Sequence, residues 1–169
     1  MSHRDLILPT LRWLALVGMT FWLGGFTFYS AVVIPILHDA MGGIDSGMIT
    51  GEVSNYLNAF GVAAVVAWSV LAAFEHSTGE RWARWMRSSL LGLSAAILVG
   101  LIALHPVMDR RLGSGEMSHF YPLHKIYLIA STFQWGINLA ILAVSVWIWR
   151  KPPERMHILD QIWTDSPSP

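Results

Sequence analysis

Long apolar runs separated by short polar loops make up most of the chain. Apolar residues within these runs do not alternate with polar ones, which argues against transmembrane strands. A helix needs roughly 20 mostly apolar residues to cross a hydrocarbon core of about 30 Å. The pattern therefore predicts an all-α integral membrane protein, an antiparallel four-helix bundle with spans at about 14–37, 57–76, 88–108 and 121–149.

Composition supports this organisation and narrows the chemistry. Residues 1–150 form one predicted transmembrane domain, and residues 151–169 form a predicted cytoplasmic tail that is partly disordered. Only 13% of the residues are charged, whereas about a quarter is usual in soluble domains. The net charge of +0 provides no overall field for nucleic acid, which is not an expected partner. The lack of cysteine excludes disulfides, thiolate metal sites and iron–sulfur clusters within the chain.

Basic residues predict the orientation of the bundle. Both termini and the loop between the second and third spans share one side of the membrane. This side carries most of the basic residues: Arg4, Arg12, Arg81, Arg84, Arg87, Arg150, Lys151 and Arg155. The other side carries only Arg110, Arg111 and Lys125. Because cytoplasmic loops are enriched in Lys and Arg, both termini are predicted to be cytoplasmic, in a bacterial inner (plasma) membrane.

Aromatic and basic side chains on the predicted cytoplasmic side suggest contact with the membrane surface. Tryptophans are enriched at membrane interfaces, and five of them are expected to form a belt there: Trp13, Trp82, Trp85, Trp147 and Trp149. Arginines near the surface attract anionic lipid head groups. Arg81, Arg84 and Arg87 are therefore expected to anchor the loop to lipid.

The third and fourth spans each carry one face that is recognised by the spacing of its residues. Small residues recur every four positions in the third span, which lets a neighbouring helix approach closely; they are Ser88, Gly92, Ala96 and Gly100. The fourth span carries a polar stripe with helical period, which should face the bundle interior because polar groups are costly in lipid. Its members are His124, Tyr127, Ser131, Gln134 and Asn138.

Histidines gather at the outer loops. With a helix rise of 1.5 Å per residue, His105 near the end of the third span and His124 near the start of the fourth lie at similar depth. Imidazole with thioether suits copper, and imidazole alone also suits zinc or haem iron. His105 and His124 are therefore candidate cofactor ligands for copper or haem b. The wider candidate metal set is His38, Met41, His105, Met108, His119 and His124.

Other interpretations of these residues stay open. His38 and His119 are also typical of solvated loops, and Met41 and Met108 of ordinary packing. Ionisable residues inside spans are costly and tend to be functional, which favours the other two histidines. An alternative function is a structural or accessory subunit of a larger membrane complex, or a homo-oligomer, with no chemistry of its own. No catalytic motif indicates a reaction, so an enzyme is the weakest interpretation.

The first span resembles a known family. Residues 21–37, "FWLGGFTFYSAVVIPIL", look like the first span of the uncharacterised four-helix membrane family of transmembrane protein 205, whose bacterial members carry a domain of unknown function. "LHPVMD" and "HKIYLIASTFQW" are compatible with it, so the resemblance covers about residues 13–150. The positions that this sequence shares with the family motif are Trp22, Gly24, Gly25 and Pro35, and their expected role is structural.

That family is similar in turn to the membrane domain of copper-resistance protein D. This similarity implies a four-helix bundle and metal handling at the outer face, although four spans are predicted here where the copper-resistance proteins have eight. Membrane-type protoporphyrinogen oxidases, which bind haem, have a fainter likeness through a W-x-x-G-x-x-x-Y-like first span. The spacing from Trp22 to Tyr29 and the position of Pro35 depart from that pattern.

Overall fold

The computed structural model describes residues 3–41, 43–75, 81–115 and 117–150, and the predicted tail at 151–169 lies outside these ranges. Regular structure in the described ranges is helical. A π-helical segment at Tyr29–Val33 joins the first two helices. The α-helices are α1 (His3–Phe28), α2 (Ile34–Met41), α3 (Gly43–Phe74), α4 (Arg81–Gly113) and α5 (Met117–Trp149).

The fold prediction is confirmed. Four helical stretches are long and apolar enough to cross a membrane: Leu6–Met41, Asp45–Phe74, Arg81–Gly113 and Met117–Trp149. Large apolar side chains on the outside of the bundle, such as Phe21, Val99 and Phe133, contact lipid in this setting. The chain is therefore a multi-pass integral membrane protein. The end that carries His105 and His124 is called the outer end below, and the opposite end the inner end; their assignment to the two sides stays a prediction.

Proline 35 explains the π-helical segment in the first span. Proline has no N–H, and its ring clashes with the carbonyl four residues earlier, here that of Ala31. In the widened turn the N–H of Ile34 bonds instead to the carbonyl of Tyr29, five residues back. The helix continues without a break, and Tyr29 becomes buried against the bundle interior.

The main apolar core lies in the inner half of the bundle. Its most buried large side chains are Met19, Trp68, Leu71 and Ile141. The indole N–H of Trp68 donates to the carbonyl of Ala15 at 2.9 Å, which ties α3 to α1. Close packing and interhelical hydrogen bonds of this kind hold membrane helices together, because lipid is as apolar as the core itself.

A buried carboxylate joins the helices at the inner end. Glu75, directly after α3, is 1% exposed. Its Oε1 accepts hydrogen bonds from Arg12 Nε at 2.6 Å and from the Trp149 indole at 2.8 Å. Its Oε2 accepts from Arg87 Nη1 at 2.5 Å. The end of α3 is thereby linked to α1, α4 and α5.

This cluster corrects two expectations about the inner end. Arg87 was expected to contact lipid head groups, and that is wrong, because its side chain is 3% exposed and paired with Glu75. Trp149 is half-buried beside the same carboxylate and stacks on Trp68, with ring centroids 5.9 Å apart. Trp13 and Trp85 are exposed on the surface, as a membrane-interface belt requires.

The small-residue face of α4 points away from the other helices of this chain. Ser88, Gly92, Ala96 and Gly100 are all exposed. A Cβ atom added at Gly92 or Gly100 would meet nothing within 4 Å among the described residues. The expected close approach is therefore absent at this face, and a tight contact occurs instead at Gly61 of α3, which lies against Trp22 of α1.

Adding a methyl group at Gly61 is expected to destabilise the bundle. Its Cβ would lie 2.5 Å from Cζ2 of Trp22 and 2.7 Å from Cε2, and this rigid ring is buried. Overpacking of this kind costs about 1–3 kcal/mol. The free energy of unfolding, measured by titration with a denaturing detergent, should fall for Gly61→Ala. The matched control Gly92→Ala should be neutral or slightly stabilising, and equal losses in both variants would contradict the packing described here.

Candidate ligand-binding site at the outer end

A cavity of about 420 Å³ occupies the outer half of the bundle. All five α-helices and the π-helical segment contribute to its wall. The wall is mostly apolar, with the aromatic side chains of Trp22, Phe26, Phe120 and Trp135 among its members. Binding cavities for small ligands and cofactors usually measure about 300–1,000 Å³ and combine apolar walls with a few polar groups. The dimensions and lining suit a small organic ligand.

His105 lies in the cavity wall with its ring oriented by a carboxylate. The residue is 3% exposed, and Nδ1 lies 3.0 Å from Oδ2 of Asp109, one helical turn further along α4. A carboxylate only accepts hydrogen bonds, so Nδ1 carries the hydrogen, and in the neutral ring the lone pair lies on Nε2. The edge of the ring also packs against Tyr127 of α5, with centroids 5.9 Å apart.

A glycine on α3 allows close packing against this histidine–aspartate pair. A Cβ atom at Gly51 would lie 3.4 Å from Asp109 Oδ1 and 3.7 Å from His105 Cε1. The backbone of α3 is thus close enough to restrict both side chains. One turn earlier, Gly47 is in similar contact with Leu112 of α4, and the two glycines bring α3 and α4 together at the level of the cavity.

His124 presents a nitrogen that lacks a partner in the described part of the chain. The residue is half-buried on α5, and its ring stacks on Phe120 with centroids 5.4 Å apart. Its Nδ1 is buried without a hydrogen bond. Buried polar atoms are nearly always hydrogen-bonded, and exceptions are often explained by a ligand, ion or water. His124 lines the same cavity as His105.

Hydrogen bonds between helices form the floor of the cavity. Asn58 Nδ2 donates to the Tyr127 hydroxyl at 3.2 Å. Deeper in the bundle, Gln134 Nε2 donates to the carbonyl of Ser94 at 3.2 Å, and the Ser94 hydroxyl donates to Asn138 Oδ1 at 2.8 Å. The predicted inward orientation of the α5 stripe is confirmed, since Tyr127, Ser131, Gln134 and Asn138 are all buried.

The structure brings together four of the six candidate metal ligands. His38, His105, Met108 and His124 all line the cavity. Met41 is exposed on α2 and His119 is exposed on α5, where it contacts Ser118 at 3.4 Å; neither lines the cavity. Among the residues that the structure describes, no three His, Asp or Glu side chains are grouped as a metal site.

Sequence reasoning missed the contribution of α3 to the site. Tyr29 donates to the Thr50 carbonyl at 3.0 Å, and Ser54 donates to the same carbonyl at 2.8 Å. The available signal was the polar spacing of Thr50, Ser54 and Asn58, which recur every four residues within an apolar span.

Comparison with known proteins places the chain in a family without assigning a function. A protein-family model described as a domain of unknown function, DUF4149, matches residues 17–115. No curated protein and no solved structure gives a significant match. The matched region includes His105 and Asp109 and ends before α5, which carries His124. Because the match covers more than half of the sequence, the chain belongs to the DUF4149 family, whose function is unknown.

Proposed function

We propose that the outer cavity binds haem b, with His105 as a ligand to the iron. The observation that carries this proposal is the hydrogen bond between His105 Nδ1 and Asp109. Histidines that ligate metals usually donate the other ring N–H to a carboxylate or carbonyl, which fixes the ring and strengthens the ligand. With Nδ1 bonded to Asp109, the lone pair of Nε2 is available to a metal.

The remainder of the cavity suits haem better than a bare metal ion. Haem iron needs only one or two ligands from the protein, so a cluster of three His, Asp or Glu side chains is not required. The apolar and aromatic wall matches the apolar body of a porphyrin. His124, with its buried Nδ1 lacking a partner among the described residues, is the candidate second contact. Bound haem would supply redox chemistry, and the residues of this chain would bind and orient it.

Copper binding is the second candidate function, and Met108 favours it. Met108 is 7% exposed and lines the cavity one turn after His105 on the same helix. Thioether and imidazole together select copper(I), and metal handling is also what the similarity of the transmembrane protein 205 family to copper-resistance protein D implies. His38 lies at the same cavity and would complete a set of soft and nitrogen ligands.

The two functions are separated by one set of spectra. We would purify the full chain from membranes in mild detergent, record the visible absorption spectrum, and titrate separate samples with haem and with copper(I), measuring metal content by mass spectrometry. A Soret band that saturates near one haem per chain is the expected result. Copper at one ion per chain, with no Soret band after addition of haem, would identify copper rather than haem as the ligand.

A chain that takes up neither ligand would overturn both functions. In that case the alternative of an accessory subunit without chemistry would remain, and proteins that purify with the chain from native membranes would become the object of study. His119→Ala serves as the control throughout, because His119 is exposed and lies outside the cavity wall.

A further inference from the structure

The helices pack in a ring in which one neighbouring pair, α1 and α5, makes few contacts. In the described part of the chain, α1 packs extensively on α3, α3 on α4 and α4 on α5, whereas α1 and α5 approach each other at few points. Beyond α1, no Cα atom of the stretch Tyr29–Met41 lies within 8 Å of a Cα atom of α5. In the outer half of the bundle the backbones of the first and last spans therefore leave a gap between them, which is called the opening below.

The cavity lies in this opening. Phe26, Ser30 and Ile34 line it from the first span, and Leu128 and Trp135 line it from α5. Ser30 and Leu128 both have accessible surface, Leu128 with 46% of its area exposed. Accessible side chains of the cavity wall on both flanking helices favour a cavity that opens between them.

One hydrogen bond crosses the inner edge of the opening. The indole N–H of Trp135 donates to the hydroxyl of Thr27 at 3.0 Å, and this contact is exposed. Hydrogen bonds between membrane helices contribute little to stability on average. The α1–α5 side is thus held by fewer contacts than the other three sides.

We infer that the cavity is loaded sideways, from the outer half of the bilayer, through the opening between α1 and α5. The inference rests on the proposed function in treating the cavity as a ligand site. It adds the class of ligand: a lipid-soluble molecule with an apolar body that spreads between Phe26 and Trp135. Such a ligand also carries a metal or polar group that meets His105 and His124. The competing route is from water through the polar outer mouth, where His38 and Asp109 lie.

Thiol labelling in lipid vesicles tests access to the cavity, and a second variant described below tests the route. The chain has no cysteine, so Ser131→Cys places a single thiol in the cavity wall. An apolar maleimide that partitions into lipid is compared with a charged, membrane-impermeant thiosulfonate, and both rates are divided by those of Ser114→Cys in an exposed loop. Because a charge is excluded from apolar surroundings, the apolar reagent should be favoured at position 131 by about tenfold or more.

The matched control on the same helix is Ser145→Cys. Ser145 is fully buried and lies outside the cavity wall, so neither reagent should label it quickly. If the ratio of the apolar to the charged labelling rate were the same at positions 131 and 114, lateral loading would be wrong. Entry through the aqueous mouth would then be the route. Labelling at position 131 as slow as at position 145 with both reagents would also overturn it, because the cavity would then be closed.

A variant at the hydrogen bond between Thr27 and Trp135 tests the route itself. Thr27→Val removes the acceptor of the Trp135 hydrogen bond and should speed apolar labelling of Ser131→Cys severalfold. Thr132→Val is the control, since Thr132 is an exposed helix residue with the same bond to the carbonyl four residues earlier. Equal rates of apolar labelling in the two variants would contradict passage between α1 and α5. No haem is used, so lateral loading and haem binding fail or succeed separately.

Discussion

Replacement of His105 by alanine is expected to cause the largest loss of haem affinity in the outer cavity. The imidazole that Asp109 orients is the proposed iron ligand, and no other histidine among the described residues is both fully buried and paired with a carboxylate. Loss of a supporting contact to a metal ligand costs about 10- to 100-fold in affinity. Loss of the ligand itself should therefore weaken haem binding by about 100-fold or more, as measured by titration of the Soret band.

Two companion variants make this result specific. Asp109→Asn keeps the size of the side chain but weakens the bond to Nδ1, and haem affinity should fall by about 10- to 100-fold. His119→Ala should bind haem like the wild type, because this residue lies outside the cavity. A His105→Ala protein that keeps its helical content and unfolding transition, yet binds haem as tightly as His119→Ala, would exclude His105 as the ligand.

Replacement of Glu75 by glutamine is expected to give the largest loss of stability. Glu75 pairs with Arg12 and Arg87, and the side chain of Arg87 is only 3% exposed. Removing one partner of a buried ion pair leaves an uncompensated charge and costs about 3–5 kcal/mol. The free energy of unfolding in a denaturing-detergent titration should fall by this amount. The control Glu52→Gln, at an exposed position of α3, should change it little.

A double variant separates charge from packing at the inner end. Replacing both partners of a buried ion pair by apolar residues is often neutral or stabilising. Glu75→Leu with Arg87→Leu should therefore recover much of the stability lost in Glu75→Gln, while Arg12, whose side chain is 30% exposed, can turn toward the surface. If Glu75→Gln remained within about 1 kcal/mol of the wild type, the buried cluster would not stabilise the bundle as described.

The features that followed from the sequence depend on distance along one helix. Apolar length predicted the four spans, and helical period predicted that Tyr127, Ser131, Gln134 and Asn138 share a buried face. Equal depth from the loop predicted that His105 and His124 lie at the same level of the bundle, where both line the cavity. Each of these inferences needs only the rise and periodicity of a helix.

The features that the sequence did not predict depend on how helices face one another. Spacing shows that Gly92 and Gly100 share a face, but the direction of that face follows from packing. Arg87 and Glu75 are twelve positions apart in the sequence, so no local pattern distinguishes a buried ion pair from a lipid anchor. The spacing of Thr50, Ser54 and Asn58 marks a polar face of α3, but the bond from Asn58 to Tyr127 required the position of α3 relative to α5.

The most direct test of the cofactor site is a haem titration of His105→Gly with and without added imidazole. The wild type should show a Soret band that saturates near one haem per chain. His105→Gly should lose this band, and imidazole should restore it, because the free base can occupy the space left by the side chain and supply the missing nitrogen. Tight haem binding by His105→Gly without imidazole, or no binding by the wild type, would contradict the proposed site.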